Sequence, residues 1–184
     1  MPLARDDSRY DGATMSLKVE KGTRHTKIVG IFGEYVVCNW LSRSGFEASV
    51  IDHTGMDLIA FNPKTRRRLG ITVKSRTRDS GKETASVNIF KNKHQDREKL
   101  KQACKAFGCD PWIAIYVESE RDAELYLTSL AHYDSKYRSK KKRVVDAWSM
   151  SRESKKEYDL DSEVACIHST FAHKMWPPRA TNRN

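Results

Sequence analysis

The sequence predicts an α/β protein in which a mixed central β-sheet is flanked by helices. Three observations support this prediction: two segments have apolar residues at helical spacing, short alternating segments lie between them, and an apolar run follows the second. Helices on both sides of a strand meander, with a buried strand after the second helix, favour a sheet that is covered on both faces. The predicted order of elements is α-β-β-β-β-α-β-β.

The first predicted helix covers "TKIVGIFGEYVVCNWLSRSG". Thr26 has the chemistry of an N-cap, and Gly45 that of a C-terminal stop. At about 100° per residue, one broad apolar face contains Ile28, Ile31, Phe32, Tyr35, Val36 and Trp40. Glu34 lies just outside this face, where its carboxylate can reach the rim of a cleft under the helix or simply water.

Alternating patterns and turn residues predict four strands after this helix. They are "FEASVID", "MDLIAFN", "LGITVKSRT" and "TASVNIF". A second helix is predicted over "NKHQDREKLKQACKAFG", with Leu100, Cys104 and Phe107 on its inner side. The run "PWIAIYVE" is predicted as a strand buried on both faces, and "AELYLTSL" as one more strand.

The chain divides by composition into three parts. Residues 1–22 are interpreted as a flexible N-terminal arm, residues 23–131 as the core, and residues 132–184 as a basic C-terminal extension. The run "HYDSKYRSKKKRVV" fits a basic linker, a nuclear-localisation-like run or a nucleic-acid-binding arm. Within the extension, "VVDAWSM" and "EVACIHSTF" are candidate strands, and "SRESKKEYD" is a candidate solvated helix.

The charge balance indicates a polyanionic partner. The chain has 34 Lys and Arg against 24 Asp and Glu, a net charge of +10. Nucleic acid is the leading partner for such a surplus, with DNA favoured over RNA, although a merely basic protein also fits. The chain shows no secretory signal, membrane-spanning run or C-x-x-C pair. We therefore expect an intracellular protein, in the cytoplasm, nucleoid or nucleus, that is not secreted.

One set of polar residues could carry chemistry. Side chains alternate along a strand, so Thr72 and Lys74 share a face. Asp57 begins the neighbouring strand, and Glu34 lies at the helix edge. This set suits phosphodiester hydrolysis, because carboxylates bind Mg²⁺ or Mn²⁺ and a lysine stabilises charge on a phosphate. Ordinary interpretations compete: Lys74 could reach water, Asp57 could cap a turn, and Thr72 could simply favour a strand.

The order of Glu34, "GMD" with Asp57 and "ITVK" with Lys74 resembles the PD-(D/E)XK nuclease superfamily. It is most similar to archaeal-type Holliday junction resolvases and restriction-endonuclease-like proteins, over residues 27–130. The resemblance implies a restriction-endonuclease-like core and a metal-dependent DNA endonuclease, with a structure-selective enzyme and a homodimer both open. The segment "KNKHQ" resembles the K-x-x-Q segment of the family, which implies that Lys91 or Lys93, with Gln95, approaches the phosphate.

The chain departs from this pattern at the third strand, where Thr72 replaces the usual acid. A neutral hydroxyl is a weak ligand, so Asp57 and Glu34 would hold Mg²⁺ or Mn²⁺ weakly or not at all. A hairpin centred near residue 80 would bring Asn88 rather than Glu83 close to Thr72. A metal-dependent endonuclease therefore competes with a catalytically degenerate nuclease-fold protein that binds nucleic acid as a structural or recruiting component. Docking of an acidic protein is a third function.

Basic residues around the third strand are candidates for contacts with a phosphate backbone. They are Arg66, Arg67 and Arg68 before it, Arg76 and Arg78 after it, and Lys91 and Lys93 beyond the fourth strand. We expect the arginines to line the approach to Lys74, although charged turns are commonly just solvated. Trp112 and Tyr116 are predicted to lie in the core rather than to stack on bases.

Overall fold

A six-stranded sheet forms the centre of the computed structural model, which describes residues 21–79, 81–90, 95–120, 122–139 and 145–170. The helices in these ranges are α1 (His25–Arg43), α2 (Gln95–Phe107), α3 (Leu130–His132) and α4 (Arg152–Asp159), with a π-helical turn (Tyr133–Tyr137) after α3. The strands are β1 (Glu47–His53), β2 (Met56–Phe61), β3 (Arg68–Thr77), β4 (Val87–Asn88), β5 (Asp110–Glu118), β6 (Asp122–Ser129), β7 (Ala147–Trp148) and β8 (Val164–Thr170).

The central sheet is mixed, as predicted. Its strand order is β1-β2-β3-β5-β6-β8, and all neighbours are antiparallel except β3 and β5, which are parallel. The helix α2 provides the crossover that a parallel pair requires. The apolar run of β5 is a central strand with Ile113–Val117 buried, which confirms the prediction for "PWIAIYVE".

The prediction of a long fourth strand paired with β3 is wrong. The strand β4 contains only Val87 and Asn88, and it pairs with β7 in a separate two-stranded sheet. Thr72 lies opposite Ile113 of β5 instead of a residue near 89. The neighbour of β3 at this edge is itself a central strand, and a central strand must be apolar on both faces. The strand β5 meets this requirement, whereas the segment that follows β3 in sequence is polar. Asn88 is exposed, so it does not take the place of the missing acid.

The region after residue 131 contributes to the same sheet. The candidate strand in "EVACIHSTF" forms β8 and pairs with β6. The candidate helix in "SRESKKEYD" forms α4, although its Tyr158 is buried rather than solvated. The division into arm, core and extension stays a prediction, and residues 1–20 of the predicted arm lie outside the described residues.

The helix α1 packs on the sheet with a different face from the one predicted. Its buried residues form a single row of Val29, Gly33, Val37 and Leu41. Four residues of the predicted apolar face are 45–60% exposed, namely Ile28, Ile31, Phe32 and Tyr35. This narrow row is buried because the glycine within it, Gly33, lets the helix backbone approach the strands. The helix begins at His25 rather than after Thr26, and Gly45 ends it with a φ of 82°, as predicted.

Two hydrophobic cores lie on opposite faces of the sheet. The core under α1 includes Leu41 and Ile71, and the core under α2 contains an aromatic cluster of Tyr126, Tyr133, Trp148 and Tyr158. On α2, Leu100 and Cys104 are buried as predicted, whereas Phe107 is 45% exposed. A Cβ on Gly70 of β3 would lie 2.5 Å from the Cys104 Sγ, so α2 lies directly on β3 at this point.

A buried arginine joins α2 to the C-terminal segment. Both carboxylate oxygens of Asp134 accept hydrogen bonds from Arg97 Nη1 at 2.6 Å, and Asp146 accepts one from Nη2 at 3.0 Å. Arg138 donates a further hydrogen bond to Asp146. A buried guanidinium needs such partners, because an unpaired buried charge is costly. The sequence analysis did not identify this cluster, whose members are far apart in the chain.

A second polar cluster surrounds Asp161, between α4 and β8. Its carboxylate accepts hydrogen bonds from Lys136 at 2.8 Å and from the Tyr137 hydroxyl, and it contacts His132 Nε2 at 2.7 Å. Burial alone would raise the pKa of Asp161, but these donors and the Glu163 backbone N–H outweigh it and lower the pKa below its usual value. The cluster therefore stabilises the charged carboxylate.

In the ranges that the structure describes, no helix is long and apolar enough to cross a bilayer.

All four cysteines are unpaired, and Cys104 is buried, which raises the pKa of its thiol to about 12.

Candidate active site

Asp57 and Thr72 lie opposite each other on neighbouring strands. The register pairs Leu58 with Ile71, so the residues beside them, Asp57 and Thr72, share the other face of the sheet. The Thr72 hydroxyl donates a hydrogen bond to Asp57 Oδ2 at 3.0 Å, and the Val73 backbone N–H donates to the same oxygen at 2.6 Å. Two donors therefore fix one carboxylate oxygen, while Oδ1 accepts no hydrogen bond within the described residues.

Lys74 continues this arrangement on the same face of β3. Its Nζ donates a hydrogen bond to Thr72 Oγ1 at 3.0 Å, and its side chain is half-buried. The threonine hydroxyl therefore accepts from Lys74 and donates to Asp57 at the same time. This continuous chain holds the ammonium and the carboxylate at a fixed separation. Lys74 is directed toward a protein partner and does not simply extend into water.

Glu34 reaches the same end of the sheet from α1. Burial raises the pKa of Glu34, and the nearby carboxylate of Asp57 raises it further. The ammonium of Lys74 lowers the pKa of Glu34, and the carboxylate of Asp52 raises it by a smaller amount. Glu34 is therefore close enough to interact electrostatically with both Asp57 and Lys74. The structure joins Asp57, Thr72 and Lys74 by hydrogen bonds and places Glu34 within electrostatic range of Asp57 and Lys74.

The position of Glu34 depends on the glycine that precedes it. A Cβ on Gly33 would overlap the Ser75 Oγ and lie 3.3 Å from the Tyr116 ring. The Ser75 hydroxyl is buried and has no hydrogen-bond partner among the residues that the structure describes. This close approach lays α1 on the face of β3 opposite Thr72 and Lys74. The sequence analysis missed both residues, although a glycine inside a helix, next to a candidate acid, is a usable signal because it costs about 1 kcal/mol relative to alanine.

The acids of this site fit a divalent cation of the Mg²⁺ type. Such ions prefer oxygen ligands and commonly take one or two carboxylates, with waters and phosphate oxygens completing the shell. Within the described residues, the Glu34 carboxylate and Asp57 Oδ1 accept no hydrogen bond, which leaves them open to a cation. No group of three or more His, Cys, Asp or Glu side chains suited to a metal occurs among the described residues. The protein can therefore supply two carboxylates, with a neutral hydroxyl where a third acid would add charge.

Other predicted site residues are placed differently. Gln95 is the first residue of α2, is exposed, and forms no hydrogen bond with Asp57, Thr72 or Lys74. Lys91 and Lys93 lie outside the described residues.

The two arginines at the end of β3 contact the protein backbone. Arg76 donates from Nη1 to the Ser75 carbonyl at 2.7 Å. Arg78 donates from Nη2 to the carbonyls of Ala85 and Ser86. Burial, followed by the neighbouring Arg76, lowers the pKa of Arg78. Arg78 therefore fixes the loop after β3, which limits its freedom to follow a ligand.

The three arginines around the start of β3 do not line the approach to Lys74. Arg66, Arg67 and Arg68 lie at the opposite end of the β2–β3 hairpin, and α2 packs on the face between them and Lys74. Arg67 lies 5.3 Å from the ring of Trp112, which is half-buried at the edge of the α1 core. Tyr116 is buried in that core, as predicted.

Similarity to known proteins is found among solved structures. No protein-family model and no curated protein matches the chain. Among solved structures, the Holliday junction resolvase Hjc from the archaeal hyperthermophile Archaeoglobus fulgidus is similar, with 17% identity, 68% of this chain and 90% of that chain covered, and a TM-score of 0.48. A likeness this distant concerns the backbone alone, so function must be argued from the site.

Proposed function

We propose that this protein is a divalent-metal-dependent endonuclease that hydrolyses phosphodiester bonds in DNA. The observation that supports it best is the hydrogen-bonded chain from Lys74 through Thr72 to Asp57, with Glu34 beside it. Two acids next to a lysine are suited to hold a cation and a phosphate at one point. The net charge of +10 favours the approach of a polyanion.

Each residue has a distinct role in this proposal. Glu34 and Asp57 Oδ1 hold Mg²⁺ or Mn²⁺, and the bound ion supplies Lewis-acid polarisation of the phosphate. Lys74 stabilises negative charge on the phosphate oxygens. Thr72 positions Lys74 and fixes the orientation of Asp57 through its hydroxyl.

The threonine makes the site weaker for cations than one with a third acid. Glu34, Asp57 and Lys74 carry a formal charge of −1 − 1 + 1 = −1. An acid at position 72 would bring this to −2 and would pair with Lys74. We therefore propose low metal affinity, with cutting that rises as the metal concentration is raised.

The threonine at position 72 also favours a second function. Because Thr72 replaces an acid, the protein could bind nucleic acid as a structural or recruiting component without cutting it. Binding in that case weakens steeply with salt, since cations on the protein displace counterions from the phosphates.

Cleavage assays on branched and linear DNA, with Mg²⁺ and Mn²⁺ titrated, test the proposal. The variants are Asp57→Ala, Thr72→Glu and, as a matched control, Glu47→Gln, which alters an exposed carboxylate at the other end of β1. We expect cutting by the wild type and the control, none by Asp57→Ala, and cutting at lower metal concentration by Thr72→Glu.

Other outcomes separate the two functions. Cutting by Thr72→Glu alone, with DNA bound by both proteins, supports the binding function. Absence of cutting by both proteins at every metal concentration overturns the endonuclease proposal. The same assay on RNA tests the preference for DNA. An intracellular location belongs to the proposal, and a homodimer stays an open prediction that light scattering can check.

A further inference from the structure

The turn between β2 and β3, together with the first residue of β3, presents three consecutive arginines. They are Arg66, Arg67 and Arg68, and we call this segment the arginine turn. Asn62 organises its backbone: its Oδ1 accepts hydrogen bonds from the N–H groups of Lys64 and Thr65, and its carbonyl accepts one from Arg66 N–H at 2.8 Å. This network fixes where each arginine leaves the backbone.

Aromatic rings support the three guanidinium groups. Arg66 and Arg68 lie 6.0 Å and 5.6 Å from the centre of the Phe61 ring, and Arg67 lies 5.3 Å from that of Trp112. All three arginines are exposed. In the described part of the chain, none of them forms an ion pair with a carboxylate. These cation–π contacts favour the observed side-chain positions while the N–H groups remain available to an anion.

The arginine turn borders an open cavity of about 350 Å³. Its lining residues are Phe61, Arg66, Arg67, Arg68, Gly108 and Asp110. Among the described residues of this lining, Asp110 is the one carboxylate, and it opposes the binding of an anion. Three guanidinium groups against one carboxylate still leave a formal excess of two positive charges at the cavity.

We propose that the arginine turn is a second DNA-binding site, which contacts phosphates of a duplex away from the Asp57–Lys74 site. Guanidinium groups donate pairs of parallel hydrogen bonds to phosphate oxygens, which favours a phosphate over other anions of similar charge. The proposal rests on the proposed function in one respect, since it takes DNA to be the ligand.

The geometry determines which phosphates can reach the arginine turn. Lys74 and Arg68 are six residues apart on the same face of β3, a distance of about 20 Å at roughly 3.4 Å per residue. The helix α2 lies over Gly70 between them. One phosphate cannot contact both. At about 3.4 Å per nucleotide along a duplex strand, the separation corresponds to at least about six base pairs. A DNA arm is the duplex that extends from the Asp57–Lys74 site. An arm shorter than about six base pairs leaves the arginine turn without a contact.

Binding measurements without divalent metal, so that no DNA is cut, test this inference. The variant is the triple change Arg66→Gln, Arg67→Gln and Arg68→Gln. Its control, Arg43→Gln, Arg152→Gln and Lys156→Gln, removes the same charge from exposed positions on α1 and α4. Each protein is titrated with duplexes whose arms are about 4 and about 12 base pairs long, at several salt concentrations.

For the long arm, we expect the arginine-turn variant to bind roughly tenfold more weakly, with the salt-dependence slope reduced by about two to three. We expect a smaller loss for the short arm and for the control. Thermal unfolding verifies that both variants are folded. Competition with inorganic phosphate and with a mononucleotide tests the source of the phosphate: displacement of the long-arm DNA from the turn only at high concentrations of either supports the proposal.

Several results would overturn the inference. They are unchanged affinity and slope in the arginine-turn variant, an equal loss for both arm lengths, an equal loss in the control, or mononucleotide binding at the turn as tight as that of DNA. These results leave the cleavage assay of the wild type unaffected. Loss of cutting in Asp57→Ala with unchanged binding in the arginine-turn variant would retain the endonuclease proposal and reject this one.

Discussion

The two ends of the β2–β3 hairpin present polar residues in different ways. At one end, Asp57 and Lys74 are half-buried, connected through Thr72, and approached by Glu34 from α1. At the other, the arginine turn is exposed and is organised by backbone hydrogen bonds and aromatic rings within or near the hairpin. The first end depends on packing between distant elements, whereas the second depends mainly on local structure. A change that disturbs the packing of α1 should therefore impair the Asp57–Lys74 end and leave the arginine turn intact.

The largest effect is expected from Lys74→Ala. Loss of its ammonium should reduce the rate of DNA cutting by about 10²- to 10³-fold, because charge on the phosphate loses its stabilising partner. Affinity for a long duplex should change little, since the arginine turn remains. Single-turnover cutting rates and binding titrations measure the two quantities separately.

Arg68→Gln is the counterpart at the other end of the same strand. It should weaken binding and leave the single-turnover rate at saturating enzyme nearly unchanged. A rate loss in Arg68→Gln comparable to that in Lys74→Ala would contradict the separation of the two ends.

A smaller effect tests the buried row of α1. Leu41→Ala should lower the free energy of unfolding by roughly 3 kcal/mol, because it removes a fully packed side chain. Tyr35→Ala on the same helix should cost less than about 1 kcal/mol, since Tyr35 is 60% exposed. Urea denaturation followed by circular dichroism measures both, and equal losses would mean that α1 packs with its other face.

Gly33→Ala tests the close approach that positions Glu34. Crowding against Ser75 should lower the free energy of unfolding by about 1–2 kcal/mol net of the better helix propensity of alanine. Cutting should decrease as well, while binding through the arginine turn is retained.

Two further variants serve as controls for Gly33→Ala. Gly30→Ala on the same helix meets nothing within 4 Å and should raise the free energy of unfolding by about 0.5–1 kcal/mol. Adding Ser75→Gly to Gly33→Ala should restore part of the loss, because it removes the atoms that crowd the new methyl group. Destabilisation by Gly30→Ala, or no recovery in the double variant, would show that the effect comes from elsewhere.

The smallest effect concerns a cluster outside both ends. The lowered pKa of Asp161 stabilises the folded protein above the unfolded-state pKa of about 4, and this contribution is lost as the pH falls toward the folded-state pKa. Asp161→Asn should therefore cost about 1 kcal/mol at pH 7 and progressively less in acid. Unfolding curves between pH 7 and pH 2 measure this difference. A constant difference across this range would show that the Asp161 charge is not responsible.

The period of two along β3 was sufficient to place Thr72 and Lys74 on one face, and the strand order brought Asp57 opposite them. The sequence also located the helix that carries Glu34. It did not show which row of α1 is buried, because apolar residues occur on more than one side of that helix. The row with Gly33 is buried since only a glycine allows the helix to lie close to Ser75.

The wrong prediction for the neighbour of β3 has a related cause, since it also depends on segments that are far apart in the sequence. The fourth strand was expected beside β3 because it follows β3 in sequence, yet the apolar β5 occupies that position through a parallel pairing. The same pairing brings Trp112 of β5 beside the turn before β3, where its ring supports Arg67. Nothing within the hairpin itself contains this information.

By itself, the sequence determined the mixed α/β class, the buried central strand, and the shared face of Thr72 and Lys74 on β3. These features follow from local periodicity and from the alternation of side chains along strands. Only the tertiary structure decided the face of α1, the neighbours of β3, and the separation of the arginine turn from Lys74 by α2. Those features depend on competition between distant segments for the same buried surface, which a reading of neighbouring residues does not include.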